Sequence, residues 1–254
     1  IISGTGDMPN YTSSNYNTSP WRQKGYTSFN KIVIEDGITR IGNHTLRSLQ
    51  ATAFSIGKDV TEIGSYALGY NNFTNITVPG NVKTIGEGAF YFWGPSCSTN
   101  SIVLEEGVES IGSQAFYVYS YQSPPKFTKL HFPSTIKSVK ISVISTLEEI
   151  SIGDNNDNGT YYIDDGVLFK RLDNSGVQLV WYPAKKDGEE YTIPTFVTNI
   201  NSSYAFSYTS NLKKITIPST VTTKITAERI FDTSAVEEIV VEKGAVIANS
   251  RTLD

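Results

Sequence analysis

The sequence contains very few of the side chains from which catalytic and metal sites are usually built. It has one cysteine and two histidines among 254 residues. Cys97 has no partner for an internal disulfide bond, and one cysteine with two histidines cannot complete a tetrahedral zinc site. His44 and His131 are far apart in the sequence, so neither belongs to a recognisable Ser/His/Asp or Cys/His arrangement. We therefore expect a protein that is not an enzyme.

Long apolar segments and excess positive charge are also missing. No run of about 20 apolar residues is present, so no transmembrane segment is predicted. The net charge of −4 and the pI near 5.3 argue against nucleic acid, whose phosphates require clustered Lys and Arg. The chain opens on IISGTG, without the charged and apolar regions of a signal peptide, and we expect that a targeting segment has been removed.

What the chain has in abundance is one repeated phrase, typified by ITVPGNVKTIGEGAF at residues 76–90. Copies begin at residues 31, 53, 76, 101, 129, 191 and 214, and shortened copies lie at 148–153 and 237–246. Successive strand aliphatics Ile34, Ile56 and Val78 are 22 residues apart. A fixed period in this range predicts a repeat solenoid, in which each coil contacts only its neighbours.

The phrase itself predicts the course of one coil. Ile76 and Val78 project to the same side of a strand and face the core, because strand side chains alternate. Pro79 lacks an N–H group and ends the strand. The small and bulky pair Ala89 and Phe90 suits a helical or 3₁₀ turn, with the phenyl ring filling the interior. The fold expected is therefore a β-dominated solenoid with short helical or 3₁₀ turns.

This pattern, I-x-I/V-P-x-x-V-x-x-I-G-x-x-A-F, together with SGTGDMPNY and IEDGITRIG, resembles the BspA-like, Treponema-type leucine-rich repeat proteins of bacterial cell surfaces. The resemblance covers nearly the whole chain. It implies a right-handed leucine-rich-repeat coil and an extracellular or cell-surface location. It also implies adhesion to host proteins, matrix or other bacteria, and it supplies no catalytic residues.

We expect one solenoid over residues 1–254. An irregular cap would occupy residues 1–30, a first repeat array 31–153 and a second array 191–254. Between them the period breaks, and two strand-like runs flank the turn-rich LDNSG, which predicts a β-hairpin insertion at 154–190.

One stretch of that insertion, DNNDNGTYYIDD at 154–165, matches the spacing of a calcium-binding loop. Asp154, Asn156, Asn158 and Asp165 would supply side-chain oxygens. Position twelve is Asp rather than the usual bidentate Glu, and no flanking helices are recognisable. Because Asx-Gly runs also form ordinary turns, the alternative is a metal-free turn, and no other cofactor is expected.

Two insertions indicate a binding surface. The third and fourth copies are longer than the basic 22 residues by 4 and 6, and both additions follow an Ala-Phe pair. Stacked coils would place these loops, at residues 91–100 and 117–126, side by side. Their aromatic residues, of the kind enriched at binding hot spots, are Phe92, Trp93, Tyr117, Tyr119 and Tyr121. The alternative is that these rings only cover the rim of the core.

The sequence therefore leaves two functions open. The first is a surface or secreted module that binds a protein or glycan ligand of a host or bacterial surface through these loops. The second is a structural stalk that displays another domain. A further surface, the outward row of strand residues that includes Val33 and Val103, would suit a flat partner or be inert.

Overall fold

The computed structural model describes residues 1–26, 28–93, 99–119, 126–140, 144–173, 175–200, 202–223 and 226–246, without the side chains of 93, 118 and 119. It divides into two compact units, Ile1–Phe127 with Thr135–Ile144, and Thr128–Ser134 with Ser145–Asp254. Parallel strands stacked coil on coil make it a β-solenoid, which confirms the predicted fold class. The division into cap, arrays and insertion stays a prediction.

Helix is nearly absent from the described ranges. They contain one 3₁₀ turn, Tyr16–Thr18, and one α-helix, α1 (Pro20–Gln23). In the first unit the strands are β1 (Gly6–Asp7), β2 (Lys31–Val33), β3 (Ile38–Ile41), β4 (Ala53–Ser55), β5 (Glu62–Ile63), β6 (Asn75–Val78), β7 (Thr84–Ile85), β8 (Phe92–Trp93), β9 (Ser101–Leu104), β10 (Ser110–Ile111), β11 (Val118–Tyr119) and β13 (Ser138–Val139). No helix in the part that is described is long and apolar enough to cross a bilayer.

The first unit is built around a six-stranded parallel sheet with the order β1-β3-β5-β7-β10-β13. Its strands are the returning segments of successive coils, and Ile63 pairs in register with Ile41 on one side and Ile85 on the other. These three isoleucines are fully buried. On the other side of the core, β2 pairs with β4 and β6 with β9, also in parallel.

The turns that close each coil have the hydrogen-bond spacing of the expected 3₁₀ turns, but they do not continue into a regular helix. Bonds of the 3₁₀ spacing within a coil, such as Ala67 N to Gly64 O at 3.2 Å, alternate with bonds between coils, such as Leu68 N to Ala89 O at 2.9 Å. Left-handed residues flank these segments, as at Tyr66 and Tyr70, with φ of 52° and 59°. The bonds between coils satisfy the alternate backbone groups that a longer helix would pair within one coil.

A buried side chain completes one of these turns. Asn71 is 2% exposed, and its Oδ1 accepts hydrogen bonds from the backbone N–H groups of Leu49 and Ala51, both at 3.1 Å. Its Nδ2 donates to the carbonyl oxygens of Leu46, at 3.0 Å, and Leu68, at 2.8 Å. One amide thus joins two neighbouring coils in a place where water cannot reach the backbone.

The second unit combines parallel coils with an antiparallel sheet. Its strands are β12 (Lys129–Phe132), β14 (Glu149–Ile152), β15 (Tyr161–Asp164), β16 (Val167–Arg171), β17 (Val177–Trp181), β18 (Glu190–Thr192), β19 (Lys214–Ile217) and β20 (Glu238–Val241). β12 pairs with β14, and β18, β19 and β20 form a three-stranded parallel sheet. β16 and β17 pair antiparallel on either side of LDNSG, and β15 adds a third antiparallel strand.

Candidate functional site

The two aromatic insertions begin side by side, in the first unit. β8 and β11 pair in parallel, and Trp93 is the direct partner of Tyr119 in that register. Phe92 and Tyr117 are buried, at 5% and 7% exposure, so a ligand would meet little of either ring. The side chains of Trp93 and Tyr119, and the whole of Tyr121, lie outside the described part of the chain. The five-residue ligand site therefore stays a prediction.

Next to these strands the structure shows aromatic rings that the sequence reasoning missed. Tyr91 stacks on Tyr117 with ring centroids 4.5 Å apart and planes 10° from parallel. It also contacts Tyr70 at 5.2 Å and Tyr66 at 5.8 Å. Tyr66 in turn stacks on His44 at 5.2 Å. Rings from four consecutive coils are thus in contact, and those of Tyr66, Tyr70 and Tyr91 are half-buried.

Two arginines extend this row toward the N-terminal residues. The Arg47 guanidinium lies 4.3 Å from the ring centroid of Tyr70, 4.9 Å from that of Tyr16 and 5.9 Å from that of Tyr66. Arg22, in α1, lies 5.6 Å from the Tyr16 ring and donates to the Ser48 carbonyl oxygen. Within the described ranges neither arginine has a carboxylate partner. We call this surface the aromatic face, consisting of Tyr16, Arg22, His44, Arg47, Tyr66, Tyr70 and Tyr91, and the buried Tyr117 ring supports Tyr91 at its end.

Burial and charge fix the protonation of the aromatic face. Partial burial, and then the positive charge of Arg47, lower the pKa of His44. His44 is therefore neutral at pH 7, and its Nδ1 accepts a hydrogen bond from Arg47 Nη1 at 3.2 Å. Burial, and then Glu87, raise the pKa of Tyr66, whose hydroxyl donates to Glu87 Oε1 at 3.2 Å. The surface carries two guanidinium charges, the Glu87 carboxylate lies beside it, and Tyr66 keeps its proton.

The backbone explains why the rings meet. Tyr66 and Tyr70 adopt positive φ, which turns both side chains outward from the Ala67-Leu68 segment that faces the core. In the next coil the position of Tyr66 is taken by Gly88, and a Cβ there would overlap the Tyr66 ring. The sequence could have indicated this contact through the residue that precedes each Ala-Leu or Ala-Phe pair. Once the period is known, these residues can be compared between neighbouring coils.

The stretch proposed for calcium has other contacts in the structure. Asn156 Oδ1 accepts from Ile152 N at 3.1 Å, and Asn158 Oδ1 accepts from Thr160 N and Tyr161 N at 3.1 and 2.8 Å. Asp165 lies 3.2 Å from Lys186 Nζ. These contacts are those of a hydrogen-bonded Asx turn, in which backbone groups use the side-chain oxygens. Among the described residues no group of three or more His, Cys, Asp or Glu is arranged to hold a metal ion, and the calcium site, with Asp154 as its first ligand, stays a prediction.

An ion pair beside this turn ties it to the antiparallel sheet. Arg171 donates to Asp157 through both terminal nitrogens, Nη1 to Oδ1 at 2.8 Å and Nη2 to Oδ2 at 2.6 Å. These hydrogen bonds, with a further one from Gly159 N, lower the pKa of Asp157. Asp157, the acidic residue in the centre of DNNDNG, therefore makes a structural contact with Arg171.

The comparison with protein families agrees with this architecture. The BspA type leucine rich repeat region matches the chain in 6 copies, over residues 24–140, 92–165 and 184–252. These ranges take in well over half of the sequence, and they include the aromatic face from His44 onward. Curated proteins give no match to the chain.

Solved structures of bacterial proteins share the fold. A leucine rich cell surface protein from Faecalibacterium prausnitzii has a TM-score of 0.62 and 22% identity over 84% of this chain. The pneumococcal vaccine antigen PcpA has a TM-score of 0.70 and 22% identity over 86%. A leucine-rich repeat protein from Eubacterium ventriosum has a TM-score of 0.59 and 22% identity over 96%. The chain spans 60% and 55% of the lengths of the first two proteins.

Proposed function

The chain belongs to the BspA-type leucine-rich repeat family, and on this premise we propose that it is a non-catalytic binding module of a bacterial surface protein. Its partner is a protein or a glycan of a host or bacterial surface, and the aromatic face makes the contact. Two structural relatives are named as a cell surface protein and a vaccine antigen, which supports an extracellular location. The main support for this proposal is that tyrosine and arginine side chains from successive coils form one surface, the aromatic face.

The composition of this face suits recognition rather than simple coverage of a core. Tyr and Arg are enriched among the residues that dominate binding energy at protein interfaces. Tyrosine supplies a large contact area at a small entropic cost, because it has only two side-chain torsions. Here neighbouring rings already hold Tyr70 and Tyr91 in place. A partner would therefore meet a surface that needs little further ordering.

Charge narrows the class of partner. Arg22 and Arg47 have no carboxylate in contact among the described residues. Both guanidinium groups lie over the Tyr16 ring. An arginine fork pairs most favourably with a carboxylate or another planar anion. The partner proposed is thus one that offers acidic groups beside apolar or sugar surface, such as an acidic protein segment or an acidic glycan.

The predicted loops would enlarge the same surface. Since Trp93 and Tyr119 are paired partners in β8 and β11, we propose that they extend the aromatic face beyond Tyr117. Buried Phe92 and Tyr117 support it from below. Tyr121, farther along the second loop, completes the proposed set.

The test is a binding screen against arrayed glycans and extracellular-matrix proteins. The variant Tyr66→Asn/Tyr70→Asn removes two rings of the aromatic face, and Asn tolerates the left-handed backbone at both positions. The matched control is Tyr204→Asn/Tyr208→Asn, at the same places of a coil in the second unit, where φ is 64° and 59°. We expect the first pair to weaken binding about 30-fold or more, as hot-spot residues do, and the control to retain it.

A Trp93→Ala/Tyr119→Ala variant then tests the extension into the loops. Equal circular dichroism spectra and unfolding midpoints must show that each variant is folded. If a ligand binds both tyrosine variants equally, the aromatic face is not the site. If no ligand binds the unmodified protein, the alternative of a structural stalk is favoured, since a hydrogen-bonded stack of coils serves as a spacer without any ligand.

A further inference from the structure

A separate pocket lies in the first unit between the N-terminal cap and the first coil. Its volume is about 280 Å³. Pro20 and Trp21 of α1 form one wall, and Ile32 and Val33 of β2 form another. The remaining lining residues are Ile1, Ile2, Lys24, Tyr26, Phe29, Lys31, Leu46 and Leu49. Neither the aromatic face nor the predicted loops contribute a residue to it.

The walls are apolar and held in place. Trp21 Nε1 donates to the Thr45 carbonyl oxygen at 2.8 Å, which fixes the indole against the first coil. Leu46 and Leu49, at 0% and 2% exposure, form a floor that belongs to the core. Tyr26 packs edge-on against Phe29 with centroids 5.9 Å apart and is still 55% exposed. An aromatic ring of that exposure beside a preformed apolar concavity offers area that a ligand would bury.

The charged side chains that line the pocket are both positive. Lys24, which caps the end of α1, and Lys31, at the start of β2, both line it and are exposed. The described lining residues include no acid, and in the described ranges neither lysine takes part in an ion pair. Two ammonium groups beside an apolar cavity are complementary to a ligand that carries a negative charge at one end of an apolar body.

We propose that this pocket binds a small anionic amphiphile, a carboxylate joined to an aliphatic or aromatic body. Pockets for drug-sized ligands usually measure about 300–1,000 Å³, so a pocket of about 280 Å³ fits a smaller molecule. The apolar body lies against Trp21, Phe29 and Leu49, and the carboxylate faces the two lysines. This site is independent of the adhesive function proposed above.

Indole resonances give a residue-specific assay. The chain has three tryptophans, and a ¹⁵N-correlation spectrum resolves their side-chain N–H groups separately. Octanoate should shift the Trp21 indole signal in a saturable way, with a dissociation constant near or below about 1 mM. Trp181, which is 4% exposed and lies in the other unit, should not respond and acts as an internal control.

The charge is tested with ligands of the same length. Octanol and octylammonium keep the apolar body and replace the carboxylate by a neutral and a positive group. We expect octanoate to bind at least about threefold more tightly than octanol, which is the effect of an exposed ion pair. This advantage should fall with added salt. Lys24→Gln/Lys31→Gln should abolish it, whereas Lys140→Gln, remote from the lining residues, should not.

The location is tested by filling the pocket. Val33→Phe places a larger side chain in it, and Val103→Phe makes the same change at the corresponding outward position of β9, where Val103 is 47% exposed. We expect the first variant to lose octanoate binding about tenfold or more and the second to keep it, since only Val33 lines the pocket. Absence of a Trp21 shift, equal affinity for octanoate and octanol, or full binding by the Val33 variant would each overturn the proposal.

Discussion

Replacement of Asn71 by leucine tests how the coils are held together. Leucine has the same branched arrangement of side-chain heavy atoms, and its methyl groups are larger than the amide groups, so the change removes the hydrogen bonds without leaving a cavity. The two backbone donors, Leu49 N and Ala51 N, lose their acceptor, and the carbonyls of Leu46 and Leu68 lose a donor. Asn71 is 2% exposed, and water has no ready access to replace these bonds.

The size of the effect follows from the unsatisfied groups. A buried donor or acceptor left without a partner costs about 1–3 kcal/mol, and burial of the new apolar side chain returns about 1.5–3 kcal/mol. With two donors and two acceptors affected, we expect Asn71→Leu to lower the free energy of unfolding by about 4 kcal/mol. Domains are commonly stable by about 5–15 kcal/mol, so a loss of this size shifts the unfolding midpoint strongly.

Urea unfolding followed by circular dichroism measures the loss, with Asn72→Leu as the control. Asn72 is the next residue, it is exposed, and its replacement should change stability by less than about 0.5 kcal/mol. Amide hydrogen exchange at Leu49 and Ala51 localises the effect, because both protons should exchange faster in the Asn71 variant. If the free energy of unfolding falls by less than about 1 kcal/mol, and its slope against urea concentration is unchanged, the Asn71 side chain does not hold the two coils together.

Three further predictions concern other sites. Gly88→Ala should displace the Tyr66 ring and weaken ligand binding in the array assay. The free energy of unfolding should fall by only about 1 kcal/mol, because Gly88 has a left-handed backbone with φ of 56°. Unchanged binding would contradict the role of Tyr66. Tyr191→Phe should raise thermal stability by about 1 kcal/mol, because it removes a buried hydroxyl with no hydrogen-bond partner among the described residues; a fall would show that the hydroxyl is used. Burial raises the pKa of Tyr182 to about 12, above the ordinary 10.0, so its contribution to stability should be complete below pH 10 and lost as the pH rises through 12. The stability of Tyr182→Phe should therefore fall less steeply with pH in this range than that of the unmodified protein. Identical stability curves for the two proteins would count against the raised pKa of Tyr182.

The coils could be predicted from the sequence because the signals that specify them are local. Ile41, Ile63 and Ile85 follow their strand markers at the same offset, and they pair in register in the six-stranded sheet. The alternation in ITV likewise places Ile76 and Val78 in the core, both fully buried. Period, alternation and proline position are each properties of a few neighbouring residues, and the structure preserves them.

The aromatic face could not be predicted in the same way, because it is made between coils. Arg47 meets Tyr16 and Tyr70, residues that are separated from it by many positions in the sequence. Their contact depends on how closely the coils stack and on the left-handed φ of Tyr70. The helical or 3₁₀ turns predicted at the same place are isolated turns rather than continuous helices. A small residue followed by a bulky one favours a helical turn locally, and the hydrogen bonds between coils keep that turn from continuing as a helix.

The same geometry separates the residues that build the solenoid from those that can change its surface. In the coil that contains Ala67 and Leu68, both side chains are fully buried, and the flanking Tyr66 and Tyr70 point outward. A substitution at a flanking position changes the surface and leaves the core and the backbone ladder intact, provided that the new residue tolerates positive φ. Gly88 shows the limit of this freedom, because its missing Cβ makes room for the ring of the preceding coil. The shape of the aromatic face is therefore set by pairs of adjacent coils, and a ligand that spans several coils reads a surface that no single repeat contains.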